Sequence, residues 1–259
     1  MPIYTDQLNN KIKLSTSPKR IISIVPSQSE FLWQIGIRNQ LIGITKFCIH
    51  PKEMFNKIER IGGTKKLNIN KIRSLKPDLI IANKEENNQQ DIELLQKEFN
   101  VWISDIYNFN DAFYMMKKLS VILNKESETQ KLITTIKASL KPIKNIFKNI
   151  TVAYFIWNKP YMVAANNTYI NFVLNYLGLK NTAHNLQRYP EVNEVILKKI
   201  NPNICFLSSE PYPFKQKHII ELQQILPASK IIIVDGEVFS WYGTRILQLA
   251  DFVKQLNLT

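Results

Sequence analysis

Residues 71–86 read KIRSLKPDLIIANKEE and residues 196–211 read ILKKINPNICFLSSEP. At a constant offset of 125 residues, Pro77 falls on Pro202, Asp78 on Asn203 and Glu85 on Glu210. In each copy a helical pattern stops at a proline, which has no N–H to continue the helix. A short β-branched and apolar run follows, of the kind that forms a buried strand, and then an acidic loop. A chain that carries this unit twice is expected to fold as two related α/β halves.

The surrounding residues extend the alternation. Arg20–Pro26 reads as a buried strand, and Ser27 with Glu30 as a capping box opening a helix over Ser29–Ile37, ended by Gly36. Strands are expected at Leu41–Thr45, Leu79–Ala82 and Val101–Ile103, with helices at Asn70–Leu75 and Gln89–Phe99. From Asn110 to about Phe147 there is no strand signal, and apolar residues recur at helical spacing. The stretch Glu126–Phe147 predicts one long connecting α-helix of roughly 33 Å, bent by Pro142. Beyond it, strands are expected at Thr151–Trp157, Asn203–Leu207 and Ile231–Val234, and helices at Tyr169–Leu177 and Arg245–Leu256. The fold class is therefore α/β, two Rossmann-like lobes with parallel sheets joined by that helix. The expected division is 1–109, a helical connector at 110–149, and 150–259.

Composition narrows the function. The 259 residues carry 34 Lys+Arg against 21 Asp+Glu, a formal charge of +13. That excess invites a nucleic-acid reading, but the lysines are spread over both halves and the connector instead of forming a stripe with stacking aromatics. Two cysteines, Cys48 and Cys205, are too few for a disulfide scaffold. The start has no basic and apolar leader, which predicts a cytoplasmic protein if Met1 is the native start. No run of about 18 apolar residues suggests a membrane span. A serine-hydrolase elbow, a P-loop and a dinucleotide glycine motif are all missing, so an enzyme is not expected.

The order of PKRIISIVPSQSEFLWQIG, the GGT turn, KPDLIIA, the central helical region, WNKPYMVAANNTYINFVLNYLG, RYPEV and INPNICFLSS resembles a known family. These segments, over about residues 12–250, are similar to the helical-backbone substrate-binding proteins of ABC importers. That group carries cobalamin, haem and ferric siderophores, and the vitamin B12-binding members are the nearest in pattern. The resemblance implies a monomer that holds a corrinoid, haem or ferric siderophore between its lobes. It also implies a permease dimer as partner, no catalytic cofactor, and a periplasmic or cell-envelope address. A cytoplasmic chelate-binding or sensing protein on the same fold is the alternative.

Candidate ligand residues lie in loops expected at the C-terminal ends of the strands, where open α/β sheets bind ligands. They are Pro26, Ser27, Phe47, His50, Lys65, Trp157, Tyr161, Trp241, Tyr242 and Arg245. The aromatics offer faces for a flat macrocycle. Lys65, Lys159 and Arg245 are candidates for anionic groups, and a charge as enclosed by apolar sequence as Arg245 needs a partner. Cys48 and His50 form a Cys-x-His pair, a weak metal candidate. His184 and His218 read as surface residues. By the resemblance, Pro26, Phe47, Tyr161 and Trp241 fall in loops that line the corrinoid pocket. Glu85, Glu86 and Glu210 are the candidates for docking on the permease.

Overall fold

The computed structural model describes residues 2–256 and 258. It divides into two units, residues 1–136 with 241–245, and residues 137–240 with 246–259. The division falls inside a helix, between Ile136 and Lys137.

In the first unit a hairpin, β1 (Ile3–Thr5) and β2 (Lys11–Lys13), leads into β3 (Ile21–Ser23), α1 (Pro26–Gln34), β4 (Leu41–Ile44) and α2 (Lys52–Lys57). Then come β5 (Glu59–Arg60), a small hairpin of β6 (Gly62–Gly63) and β7 (Lys66–Leu67), α3 (Ile69–Leu75), β8 (Leu79–Asn83), α4 (Gln89–Gln96) and β9 (Val101–Ser104). The sheet order is β5-β4-β3-β8-β9, with every pair parallel. All residues of β8 and β9 are buried, which is why both strands read as unbroken apolar runs. The chain winds from β3 outward to one edge and returns to β8 for the other. The loops after β3 and β8 therefore flank the switch point of this sheet.

Two 15-residue helices follow, α5 (Phe109–Leu123) and α6 (Glu126–Leu140). Asn124 ends α5 in the left-handed conformation, φ 51°. The long helix expected over Glu126–Phe147 stops at Leu140, and Lys141–Ile143 form a 3-10 turn. Pro142 accounts for this: it lacks the amide hydrogen that would continue the α-helical ladder, and its ring crowds the preceding turn. The capping box expected at Ser27 is not formed. Helix α1 starts earlier, with Val25 as N-cap and Pro26 in the first turn, so Ser27 and Ser29 are helical.

The second unit contains β10 (Thr151–Trp157), β11 (Tyr161–Val163), α7 (Tyr169–Tyr176), β12 (Lys180–Asn181), β13 (Glu191–Val192), α8 (Glu194–Ile200), β14 (Ile204–Ser208), α9 (Gln216–Ile225), β15 (Lys230–Val234), α10 (Gly236–Ser240) and α11 (Ile246–Gln255). Strands β12, β10, β14 and β15 are parallel, and β11 and β13 add an antiparallel edge. Its core gathers Phe155 of β10, Leu207 of β14, Leu197 of α8 and Leu222 of α9.

The repeat is realised residue by residue. Helices α3 and α8 are capped by Asn68 and Asn193, each accepting from the amide three residues on. Both end in a left-handed residue, Lys76 and Asn201. Asp78 accepts the amides of Lys19 and Arg20 at 2.8 and 2.9 Å, and Asn203 accepts the amide of Thr151 at 2.8 Å. Each proline loop is thus tied to the start of the first strand of its own sheet. Among the described residues no helix is long and apolar enough to cross a membrane.

Candidate functional site

In the first unit the switch point is closed by the chain itself. Gln28, in the first turn of α1, is fully buried, and its Nε2 donates to Ser104 Oγ at 2.5 Å and Tyr242 Oη at 3.2 Å. Tyr242 Oη–H donates to Glu86 Oε1 at 3.3 Å. Burial, and then the negative charge of Glu86, push the Tyr242 phenol well above its ordinary value, so it stays a neutral donor. The loop after β8 is held by its own amides. Asn83 Oδ1 accepts from the backbone of Glu85 and Glu86 at 2.8 and 3.0 Å, and Asn87 Nδ2 donates to Ile24 and Thr64 carbonyls, both at 3.1 Å.

Arg245 has the partner that its burial demanded. Its Nε and Nη2 meet the two oxygens of Glu30 at 3.1 and 3.0 Å. Its guanidinium also lies 5.1 Å from the centre of the Trp241 ring. Burial raises the Glu30 carboxyl and Arg245 opposes it through charge and hydrogen bonding. Trp241 also meets His50 edge-on, ring centres 6.0 Å apart. Trp241 is 8 % exposed and Tyr242 4 %. Pro26 and Ser27 are buried too. These side chains build the scaffold of the first unit, and the open surfaces lie elsewhere.

Cys48 is enclosed, with Sγ 3.2 Å from both Ser29 Oγ and Thr45 Oγ1. Burial pushes its thiol up to about 11, the wrong direction for a thiolate ligand. Among the described residues no group of three or more His, Cys, Asp and Glu is placed to hold a metal. Phe47, by contrast, is 49 % exposed. Lys65 Nζ donates to the Glu85 carbonyl at 2.6 Å, linking the β6–β7 hairpin to the loop after β8.

In the second unit Trp157, at the end of β10, is 40 % exposed and stands edge-on to Tyr212 at 5.5 Å. Tyr212 packs on Phe214 at 4.9 Å and on His218 at 5.3 Å. The Lys215 amide donates to His218 Nδ1 at 2.8 Å, which leaves the proton on Nε2, facing Tyr212 Oη at 3.0 Å. His218 is 4 % exposed, not the surface residue expected, because α9 begins where this aromatic cluster closes. His184 is exposed, as expected. Asn158 Nδ2 reaches Tyr212 Oη at 3.4 Å, joining the loops after β10 and β14 at the switch point of this sheet. Tyr161 packs edge-on to Phe155 at 5.7 Å, and its phenol is raised by burial and by Glu221 and Glu194.

Two of the three docking candidates are engaged by hydroxyls of their own unit. Glu210 Oε1 accepts from Ser240 at 2.9 Å, as Glu86 accepts from Tyr242. Gly236 allows this arrangement: a Cβ there would lie 2.3 Å from Ser208 Oγ and 2.6 Å from Glu210 Cγ. Sequence reasoning missed Ser104 and the roles of Gln28, Asn87, Asn158, Glu30 and His218. A buried arginine calling for an acid was the one signal that pointed to any of them.

Comparison with known proteins places this architecture. A family profile described as periplasmic binding protein matches residues 21–225. The ABC transporter substrate-binding lipoprotein YvrC of Bacillus subtilis, itself uncharacterized, is 25 % identical over 214 residues, 78 % of this chain and 68 % of its own length. A vitamin B12-binding protein of Vibrio parahaemolyticus is 25 % identical over 215 residues, 80 % of this chain and 77 % of its own. The solved structure of the petrobactin-binding protein YclQ from Bacillus subtilis shares the fold, with a TM-score of 0.81 at 17 % identity over 98 % of this chain and 97 % of that one.

Proposed function

Because the chain belongs to the periplasmic binding protein family, we propose that it is the substrate-binding component of an ABC importer and binds a corrinoid or a similar metal chelate for delivery to a permease dimer. The observation that carries the reading is the family match over both α/β units, combined with large aromatic faces left open at strand ends in each. Phe47 is 49 % and Trp157 40 % exposed, although water contact is unfavourable for such rings. A flat chelate would cover them. Vitamin B12-binding and siderophore-binding relatives support this ligand class.

Phe47, Trp157 and Tyr161 are the ligand-facing candidates, with Lys65 and His50 beside the first. Pro26, Ser27, Trp241, Tyr242 and Arg245 act on the ligand through the scaffold they build. Glu85, Glu86 and Glu210 remain the proposed permease contacts. Glu86 and Glu210 would exchange their bonds to Tyr242 and Ser240 for permease cations on docking. The lipoprotein relative favours the cell envelope as the site of action. The two cysteines are buried free thiols, so an oxidising compartment offers them no partner.

The reading is tested by Trp157→Ala and Phe47→Ala in a chelate-binding assay. Each truncation removes a stacking face and is expected to weaken binding by about tenfold or more with an unchanged circular dichroism spectrum. Unchanged affinity in both would remove the proposed ligand faces.

A further inference from the structure

We propose that the open edge of β15 is a self-association site, where a second copy of this chain adds its own β15 antiparallel across a two-fold axis. This goes beyond the importer reading and does not depend on it. A sheet edge carries main-chain donors and acceptors that can pair with another chain. Folds blunt such edges with very short strands, covering segments or charges.

The other edges of the two large sheets are managed in these ways. In the first unit β5 is two residues long, and β9 is covered. The Ile103 amide donates to Asp6 Oδ2 at 3.0 Å, and its carbonyl accepts from the Gln7 amide at 3.2 Å. All of β9 is buried. In the second unit β12 and β13 have two residues each. Strand β15 follows β14 through a helix as β9 follows β8, and it too ends its sheet, but it has neither protection. It runs for five residues, Lys-Ile-Ile-Ile-Val, with Lys230 and Ile233 exposed and Ile231 and Ile232 half-buried.

Pairing with β14 decides which groups are open. The Lys230 amide donates to the Asn203 carbonyl at 2.9 Å, and the Val234 carbonyl accepts from the Ser209 amide at 3.0 Å. Main-chain groups alternate sides along a strand, so those of Lys230, Ile232 and Val234 face β14. The amides and carbonyls of Ile231 and Ile233 point away from the sheet, and among the described residues nothing pairs with them. Three consecutive isoleucines, with no proline and no break in register, favour further strand pairing. The edge is also complementary to itself. In a two-fold antiparallel pair centred on Ile232, Ile231 of one copy meets Ile233 of the other, and each such pair exchanges both main-chain bonds. The Lys230 end of one strand then lies beside the Asp235 end of the other, so the charges that bound the edge attract. A parallel pairing would set like charges together and has no two-fold closure.

The test measures the mass of the full chain by small-angle X-ray scattering from about 10 μM to about 1 mM, with amide hydrogen exchange at both ends of the range. An interface this small supports a weak, reversible dimer with a Kd of about 0.1 mM. The Ile231 and Ile233 amides are then expected to exchange about fourfold more slowly at about 1 mM, where about a fifth of the chains are monomeric. The Ile232 and Val234 amides, bonded into β14, are expected to be protected throughout. Ile233→Lys sets a charge on the edge and is expected to weaken the dimer about tenfold or more, with an unchanged circular dichroism spectrum. Ile233→Pro removes an outward amide, leaves the β14 ladder intact and is expected to do the same. A monomer throughout the range overturns the proposal and leaves the edge to a strand of another protein. A dimer that survives both variants overturns it by placing the interface elsewhere. Protection of Ile231 and Ile233 that does not change with concentration overturns it by placing a segment of the same chain on the edge.

Discussion

Glu30→Gln removes the carboxylate from the buried pair with Arg245 while keeping the side-chain shape. In the native protein the Arg245 side chain is 6 % and the Glu30 side chain 12 % exposed, with two contacts of 3.1 and 3.0 Å. The substitution leaves a guanidinium in a nearly dry site, and breaking such a pair by removing one partner costs about 3 kcal/mol. The Trp241 face offsets a fraction of this, of order 1 kcal/mol. At roughly 2–4 °C per kcal/mol, a net loss of about 2–3 kcal/mol lowers the melting temperature by about 4–12 °C. Replacing both residues by methionine removes the charge together with its partner and is expected to cost less than either single change. Guanidinium unfolding followed by tryptophan fluorescence is suited to this, because Trp33, Trp102 and Trp241 all lie in the first unit and only Trp157 in the second. A Glu30→Gln variant within about 0.5 kcal/mol of wild type would refute the reasoning, as would a double variant that loses the sum of the two singles. If Arg245 instead bound an anionic ligand directly, its substitution would weaken binding and spare stability.

Other outcomes follow from the same geometry. Cys48 and Cys205 have thiols pushed up by burial to about 11 and about 12, so at pH 8 neither presents an appreciable thiolate. A thiol reagent is expected to label the native protein negligibly and to titrate both cysteines in denaturant; rapid native labelling would contradict their enclosure. Gly236→Ala forces a methyl against Ser208 and Glu210 and is expected to cost about 1–3 kcal/mol, read by thermal melting; a neutral effect would mean that α10 is free to shift. His218→Phe removes the acceptor of the Lys215 amide and the donor to Tyr212, with an expected loss of about 1–2 kcal/mol by denaturant titration. An unchanged midpoint would show that the bonds through His218 do not support the aromatic cluster.

What could be read from the chain was what local chemistry decides. The 125-residue repeat rests on asparagine caps, left-handed helix ends and prolines, each of which acts within a few residues, and both copies match from Asn68 and Asn193 to Glu85 and Glu210. The stop of α6 at Leu140 is also local once Pro142 is given its full effect. What failed was long-range. Ser27 and Glu30 have capping-box spacing, but Glu30 answers to an arginine 215 residues away. Gln28 reaches Tyr242 across 214 residues. His218 looked isolated because its partners come from the loop after β14 and its own helix start. Strands β12 and β13, two residues each, are too short to leave a periodic signal. The aromatics of the candidate site were legible as a group, yet sequence could not separate the exposed Phe47 and Trp157 from the enclosed Trp241 and Tyr242.

The central claim is that this chain binds a metal chelate, and a fluorescence titration with cyanocobalamin, hemin and a ferric siderophore tests it most directly. The account predicts saturable, one-to-one quenching by at least one of them, with a Kd below about 1 μM. A flat response to all three, from protein whose unfolding transition shows it to be folded, would contradict it.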